Sequence, residues 1–193
     1  MPSTAEQAIK QQIGELGKIS FADFMRIALY HPSDGYYPAQ RNVRSDDYYT
    51  SPRAHPAFGA LIAIHLRHLW TLLGHPTPYN VVEIGSGTGV LGCDVASYAS
   101  NKLELFSDSL RYLSTDLHET ELPMGTTGCV VSNELLDAFP VHRFQIVNGE
   151  VKEIYVTLSG NDFCEVVGEA STGQLKDRLA DLDIRRPEGK RGE

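Results

Sequence analysis

Two stretches of this sequence carry residues whose types and spacing could do chemistry. The first is an apolar run at 81–84 that contains Glu83 and opens directly into a glycine-rich stretch at 85–89. Glycines let the backbone turn sharply and let a ligand approach the main chain closely. The second is the polar run at 133–137, which follows the apolar run at 129–132. Open parallel sheets bind ligands beyond the carboxyl ends of their strands, so both stretches are candidates for a ligand site.

The spacing of the glycines narrows the kind of ligand. Gly85, Gly87 and Gly89 follow the pattern GxGxG, with Ser86 inside it. A dinucleotide fingerprint needs GxGxxG, which would put a glycine where Val90 stands, and a phosphate-binding loop needs a Gly-Lys-Ser/Thr sequence that this stretch lacks. A strand that ends in an acid and opens into GxGxG resembles the first motif of class I S-adenosylmethionine (SAM) methyltransferases. A plain strand-to-helix turn without a ligand stays open as an alternative.

The polar run at 133–137 also has two interpretations. Asn133, Glu134 and Asp137 lie just after a predicted strand, where a sheet presents its ligand-binding groups. Alternatively, Asn133 caps a helical turn and Glu134 complements the positive end of that turn. The sequence alone leaves both interpretations open.

Composition excludes several classes of function. The chain has 193 residues, 41% of them hydrophobic, which suits one domain with a sizeable core. Its net charge of −8 argues against coating nucleic acid or adhering to anionic membranes. The longest apolar stretch, at 57–73, is interrupted by charged or polar residues and does not predict a membrane span.

The N-terminus resembles no targeting segment, so we expect a cytoplasmic protein. Its three cysteines are expected to be reduced core thiols, and no metal site is predicted.

The N-terminal part of the chain is predicted to be helical. Helices are expected over 5–16, ending at Gly17, and from a capping residue at Ser20 through Tyr30. The tyrosine-rich stretch 36–51 lacks periodicity and is predicted to be an ordered loop. Apolar residues then recur at helical spacing over 56–73.

After the glycine stretch, the spacing of apolar residues changes from a mixed to an alternating pattern. After the glycines we expect a helix over 89–98, short strands over 103–106 and 110–113, and a buried strand over 129–132. Alternation from residue 142 then predicts a hairpin turning at Asn148-Gly149. A third strand over 163–167, a helix over 174–182 and a loose charged tail complete the prediction. We therefore expect an N-terminal region of helices and loops at 1–78, a Rossmann-like core at 79–141, and an antiparallel hairpin insertion with the charged tail at 142–193.

These pieces resemble the MidA-like, complex I assembly methyltransferases, a family of SAM-dependent enzymes regarded as protein arginine methyltransferases. The resemblance covers nearly the whole chain. It implies an α/β, Rossmann-like class I SAM-dependent methyltransferase fold, incomplete here, with N-terminal helices and an antiparallel β insertion. The residues that carry it are Gly17-Lys18-Ile19, Phe21, Phe24-Met25, Ala28-Leu29-Tyr30, Gly35-Tyr36-Tyr37, Asp47-Tyr48-Tyr49-Thr50-Ser51-Pro52, Phe58-Gly59, the stretch 83–89, and Asn133-Glu134-Leu135-Leu136-Asp137-Ala138-Phe139-Pro140-Val141.

The resemblance implies specific roles for site residues. SAM is the implied cofactor, and the residues expected to bind it are Glu83, Gly85, Ser86, Gly87, Gly89, Thr50, Ser51, Pro52 and Asp116. The residues expected to act in catalysis are Glu134, Asp137 and Asn133. The carboxylates of Glu134 and Asp137 would orient a substrate guanidinium and disperse its charge while a nitrogen attacks the SAM methyl group. The implied partner is a protein substrate, such as a complex I 49-kDa-type subunit, and a homodimer is left open.

The chain departs from the family pattern in two respects. Family members place a further strand, ending in an acid that binds the SAM ribose, before the strand near residue 110. Only residues 101–109 occupy that interval here, with Glu104 or Asp108 as substitutes for the acid. Members also continue far beyond residue 193, so we expect an N-terminal portion with an internal gap. The alternatives are a catalytically inactive, protein-binding module of the same fold and a nucleotide-dependent oxidoreductase.

Overall fold

The computed structural model describes residues 4–40, 51–115, 127–181 and 187–193, without the side chains of residues 39, 40, 51 and 53. Contacts within the chain form two units: Met1–Ser45 together with Ala138–Glu193, and Asp46–Asp137. We call them the antiparallel unit and the parallel unit, after the sheet that each contains. The first unit joins the beginning of the chain to its end, whereas the sequence predicts three consecutive regions.

The antiparallel unit combines three N-terminal helices with a five-stranded sheet. Its strands follow the order β1-β6-β5-β8, with β7 paired to β6. Its helices are α1 (Ala5–Leu16), α2 (Phe21–Tyr30), α3 (Tyr36–Gln40) and α8 (Gly173–Asp181). Its strands are β1 (Ile19–Ser20), β5 (Arg143–Val147), β6 (Glu150–Ser159), β7 (Asp162–Gly168) and β8 (Arg191–Gly192).

Local sequence signals form this unit as expected. Thr4 and Gln7 make a reciprocal capping box at the start of α1, and Gly17 ends the helix with a φ of 79°. The Ser20 side chain accepts a hydrogen bond from the Asp23 backbone N–H at the start of α2. Between β5 and β6, Asn148 and Gly149 both adopt positive φ, which matches the twist of a two-residue hairpin. The two predicted helices and the hairpin are therefore confirmed.

The end of the chain differs from the prediction. A loose tail was expected over 185–193, because this stretch is charged and contains few apolar side chains; residues 185 and 186 lie outside the described residues. Instead, β8 pairs with β5, and the Glu188 carboxylate accepts hydrogen bonds from the backbone N–H groups of Asn148 and Gly149. Pairing through the main chain needs no apolar side chains, so hydrophobicity did not reveal this strand.

The parallel unit is a three-stranded sheet packed against helices. The strand order is β3-β2-β4, and both outer strands run parallel to β2. Its elements are α4 (Ser51–Ala54), α5 (Ala57–Leu72), β2 (Tyr79–Ile84), α6 (Val90–Lys102), α7 (Glu104–Ser109), β3 (Leu110–Thr115) and β4 (Gly128–Val131). Helices α5 and α6 pack together, and their apolar faces enclose Tyr79 and Val81 of β2. The predicted helix over 56–73, the central strand and the helix after the glycines are confirmed.

Several predictions for single elements are wrong. Residues 104–109 form α7 rather than a strand, with Phe106 buried against Trp70 while Leu105 is 79% exposed. The buried residues Phe106 and Ser109 are three positions apart, which is a helical spacing, and the four residues of the predicted strand were too few to show it. Tyr36–Gln40 forms a helix within the expected loop.

Burial in the parallel unit is also lower than expected. Strand β4 is not fully buried, because its Val130 is 56% exposed. All three cysteines are free, but Cys93 lies on the surface rather than in the core. No helix in the described part of the chain is long and apolar enough to cross a membrane.

Candidate functional site

The glycine stretch forms a loop between β2 and α6 that requires glycine at three positions. Gly85, Gly87 and Gly89 have φ values of 73°, 54° and 72°. These values lie in the left-handed region, which side chains with a Cβ occupy at a cost of roughly 1–2 kcal/mol per residue. The backbone N–H groups of Gly85 and Ser86 both donate to the Thr115 carbonyl, at 2.9 and 3.2 Å. The loop is therefore tied to the end of the neighbouring strand β3.

Within the described residues, the loop is open on one side. A Cβ placed on Gly87 or Gly89 would meet no atom of those residues within 4 Å, apart from its own neighbours in the chain. A Cβ on Gly85, by contrast, would lie 2.8 Å from Cδ1 of Leu135. The outer part of the loop can thus be approached by a ligand, while its first glycine is in contact with the protein.

The contact with Leu135 brings the two predicted stretches together within the parallel unit. Strand β4 ends at Val131, and the chain then passes Gly85 before forming a 3-10 turn at Leu136–Ala138. Glu134 has a φ of 53°, which is uncommon for a residue other than glycine and is typical of functional sites and tight turns. Asn133 is half-buried, and the carboxylates of Glu134 and Asp137 are exposed.

Glu83 lies at the base of the loop but points into the protein. Its side chain is only 3% exposed, and it accepts hydrogen bonds from the Tyr112 hydroxyl at 3.2 Å and from the Ser114 hydroxyl at 3.4 Å. Burial raises the pKa of Glu83, and these hydrogen bonds offset only part of the effect. Its expected role in binding a cofactor stays a prediction, and the structure adds a second role in joining β2 to β3.

The other predicted site residues are described only in part. Thr50 and Asp116 lie outside the described residues. Ser51 begins the short helix α4, and Pro52 is half-buried in the same helix, which contacts α5 and α6. Glu104 is exposed in the first turn of α7. The structure thus brings together the glycine loop and residues 133–137.

Sequence patterns did not reveal the residues that hold this site in shape. Tyr112 and Ser114 alternate along β3 and both reach Glu83 on β2. Alternation over a strand is visible in a sequence, but the identity of the neighbouring strand is not. The sequence shows Leu135 only as part of a motif. Its contact with Gly85 is not visible there, because it depends on the pairing of β4 with β2.

Comparisons with known proteins agree with this geometry. Residues 110–193 match the family of S-adenosyl-L-methionine-dependent methyltransferases Methyltransf_28. The protein arginine methyltransferase NDUFAF7 homolog of Drosophila melanogaster is 29% identical over 83% of the chain, and the Danio rerio NDUFAF7 is 35% identical over 74%. The chain is therefore similar to this family of methyltransferases over most of its length. It spans 46% and 44% of the length of these two relatives.

A solved structure supports the same fold. The chain superposes with a TM-score of 0.70 on a COG1565 superfamily protein from Burkholderia thailandensis, at 24% identity. The match covers 94% of this chain and 54% of that one, whose crystal structure contains S-adenosyl-homocysteine. The chain described here therefore has the α/β class I methyltransferase fold that the sequence predicts.

Proposed function

We propose that this chain forms the SAM-binding part of a protein arginine methyltransferase. One observation carries the proposal: an open loop with three left-handed glycines lies in contact with a carboxylate-bearing segment beyond two adjacent parallel strands. Open α/β sheets bind their ligands at this position. The relatives named as protein arginine methyltransferases support the same conclusion.

The loop residues suit the proposed cofactor. Bound SAM supplies an electrophilic methyl group and leaves as a neutral thioether. Ser86, Gly87 and Gly89 would hold it, since no atom of the described residues would lie within 4 Å of a Cβ on the last two, apart from their chain neighbours. Gly85 would fix the loop against Leu135, and Glu83 would support it from beneath. Binding by Thr50, Ser51, Pro52 and Asp116 remains a prediction.

The carboxylates of residues 133–137 suit a cationic substrate. The guanidinium group of arginine is protonated at neutral pH and presents its donors in a planar fork. Glu134 and Asp137 are exposed and lie just beyond β4, so they can accept hydrogen bonds from such a fork and disperse its charge. Asn133 would assist in orienting it.

The finer parts of the proposal concern partners and compartment. We propose an arginine of a protein substrate, such as a complex I 49-kDa-type subunit, as the methyl acceptor, and a homodimer remains a prediction. The curated relatives are named as mitochondrial proteins, so the cytoplasmic location expected from the sequence stays a prediction that cell fractionation tests.

Calorimetric titration with SAM tests the proposal, using a matched pair of glycine variants. Gly87→Ala adds a methyl group above the loop, whereas Gly149→Ala adds one in the hairpin turn of the antiparallel unit. Both positions have positive φ and open space, so both variants carry similar backbone strain. We expect the SAM dissociation constant to rise at least about tenfold, equivalent to ~1.4 kcal/mol, in Gly87→Ala only.

The outcomes separate the candidate functions. Equal weakening in both variants, or no SAM binding by the parent protein, contradicts the proposed loop. Binding of NADH instead indicates an oxidoreductase. Where SAM binds, labelled methyl transfer to a complex I subunit peptide should fall sharply in Asp137→Asn. SAM binding without any transfer favours the protein-binding module.

A further inference from the structure

Helix α5 of the parallel unit is apolar on two opposite faces. The buried residues of its inner face, which packs into the core of that unit, are Gly59, Ala63, Leu66 and Trp70. On the opposite face, the side chains of Leu61, Ile64 and Leu72 are 65%, 41% and 69% exposed. A helix that is apolar all round is ordinarily buried on every side, and a contiguous exposed apolar patch marks an interaction surface. The outward face of α5 therefore suits a partner.

The exposed residues of this face form a continuous line along the helix. At 3.6 residues per turn, positions 61, 64, 65, 68 and 72 lie within about 100° of the helix circumference. All five side chains are exposed, and we call them the outer stripe: Leu61, Ile64, His65, His68 and Leu72. Leucines lie at its two ends and both histidines lie between them.

The outer stripe has nearly the same sequence of side chains in both directions. A two-fold axis between residues 66 and 67 would place Leu61 of one copy opposite Leu72 of a second copy, and His65 opposite His68. Two-fold dimers use the same patch on both subunits, so such a patch must complement itself. We propose that the outer stripe is a dimer interface, in which the α5 helices of two copies of this chain pack antiparallel. This inference goes beyond the proposed function, because no stripe residue belongs to the candidate site.

The charges of the chain favour a second copy as the partner. Residues 48–82 contain no aspartate or glutamate, although the chain has 25 acidic residues and a net charge of −8. Two copies therefore repel each other over much of their surface but can approach along α5 without opposing carboxylates. The facing histidines also suit each other, since a neutral imidazole carries one hydrogen-bond donor and one acceptor.

The size of the helix pair sets the expected strength of the dimer. Helix α5 has 16 residues, so it is about 24 Å long at 1.5 Å per residue. Stable interfaces bury about 1,200–2,000 Å² in total, and one pair of helices of this length lies at or below the lower end of that range. We therefore expect a reversible dimer with a dissociation constant on the order of 10 μM.

Sedimentation of the whole protein from about 1 to 100 μM tests the proposal, since this range spans the expected dissociation constant. Leu61→Glu places a carboxylate inside the outer stripe. The matched control is Leu105→Glu, because Leu105 is also an exposed leucine on a helix of the parallel unit, at 79%, but lies on α7. We expect Leu61→Glu to raise the dimer dissociation constant at least about tenfold and Leu105→Glu to leave it unchanged.

A mixture of two variants tests the antiparallel arrangement. Leu61→Glu and Leu72→Lys should each dimerise weakly alone, but their mixture should recover the dimer, because each mixed pair joins one glutamate to one lysine and one leucine to one leucine. A parent protein that stays monomeric up to about 100 μM overturns the inference. Equal weakening by Leu61→Glu and Leu105→Glu overturns it as well, and a mixture that stays monomeric overturns the antiparallel pairing.

Discussion

Among the residues that the structure describes, each unit buries one glutamate, and the two carboxylates accept hydrogen bonds of different strength. Glu83 of the parallel unit is 3% exposed, and Glu153 of the antiparallel unit is fully buried. The Glu153 carboxylate accepts hydrogen bonds from the His142 Nδ1–H at 2.7 Å and from the Ser171 backbone N–H at 2.5 Å. Glu83 accepts longer hydrogen bonds from the neutral hydroxyl groups of Tyr112 and Ser114, and a further one from the Gly92 backbone.

The pKa values of the two glutamates therefore move in opposite directions. Burial alone would raise the pKa of Glu153, but the bonds from His142 and Ser171 outweigh it and leave that pKa below its usual value. Burial dominates at Glu83 and raises its pKa. Strong donors next to a carboxylate favour its charged form, whereas desolvation disfavours it. The antiparallel unit thus stabilises its buried charge, while the parallel unit, which carries the candidate site, does not.

The largest expected effect is that of Glu153→Gln. The carboxamide of glutamine is uncharged and has one oxygen where Glu153 uses two, so its NH2 group would face one of the two donors. We expect the free energy of unfolding to fall by about 2–3 kcal/mol at pH 7, which lies within the range for hydrogen bonds to charged groups. Hydrogen exchange of the β5 and β6 amides measures this loss. The exposed residue Glu150, three positions earlier, supplies the control Glu150→Gln, which should change little.

The pH dependence of the same variant provides the contradicting outcome. A carboxyl group with a lowered pKa contributes stability that is present above its unfolded pKa and lost as pH falls through the folded pKa. The parent protein should therefore lose protection in β5 and β6 in acid, and Glu153→Gln should lose less of it. Parallel profiles for the two proteins would refute the role assigned to Glu153.

A smaller effect of opposite sign is expected for Glu83→Gln. A raised pKa means that stability is highest below the unfolded pKa and falls as pH rises through the folded pKa. Removing the charge should increase the free energy of unfolding by about 1 kcal/mol at pH 8 and flatten its decline above pH 4. Trp70, the single tryptophan of the chain, lies in the core of the parallel unit and reports its unfolding in urea.

The control for this variant keeps the charge and removes a partner. Tyr112→Phe deletes the shorter hydrogen bond to Glu83 and should lower stability, most strongly at high pH. If Glu83→Gln instead destabilises the parallel unit as strongly as Tyr112→Phe, then Glu83 is well solvated in the folded protein. The contrast between the two units would then disappear.

The two units also differ in how far their sequences predict them. In the antiparallel unit, alternation and the Asn148-Gly149 turn fix the register of β5 and β6, because both signals are local. In the parallel unit, β2 pairs with β3, which follows it after two helices, and with β4, which lies further along the chain. Local patterns contain no information about such pairing. The burial of β4 was therefore predicted wrongly, although its presence was predicted correctly.

In the candidate site, too, local features could be predicted from the sequence and contacts between strands could not. The glycine spacing and the polar run at 133–137 could be found in the sequence, since each is a local pattern. The contact of Leu135 with Gly85 could not, because it depends on which strands are neighbours. The role of Glu83 in cofactor binding stays a prediction. The hydrogen bonds that it accepts from Tyr112 and Ser114 could not be found in the sequence either, because they depend on the pairing of β2 with β3.

The smallest expected effect concerns a pair of tyrosines that repeats the contrast between the glutamates. Tyr79 of β2 is fully buried, and its hydroxyl has no hydrogen-bond partner within the part of the chain that the structure describes. An unsatisfied buried hydroxyl destabilises a fold, so Tyr79→Phe should raise the stability of the parallel unit by up to about 1 kcal/mol. Tyr155→Phe should lower that of the antiparallel unit, because the Tyr155 hydroxyl donates to Glu169. Trp70 fluorescence in urea and exchange of the β6 amides measure the two changes. A loss of stability in both variants would mean that Tyr79 has a partner and that the two units satisfy their buried polar groups equally well.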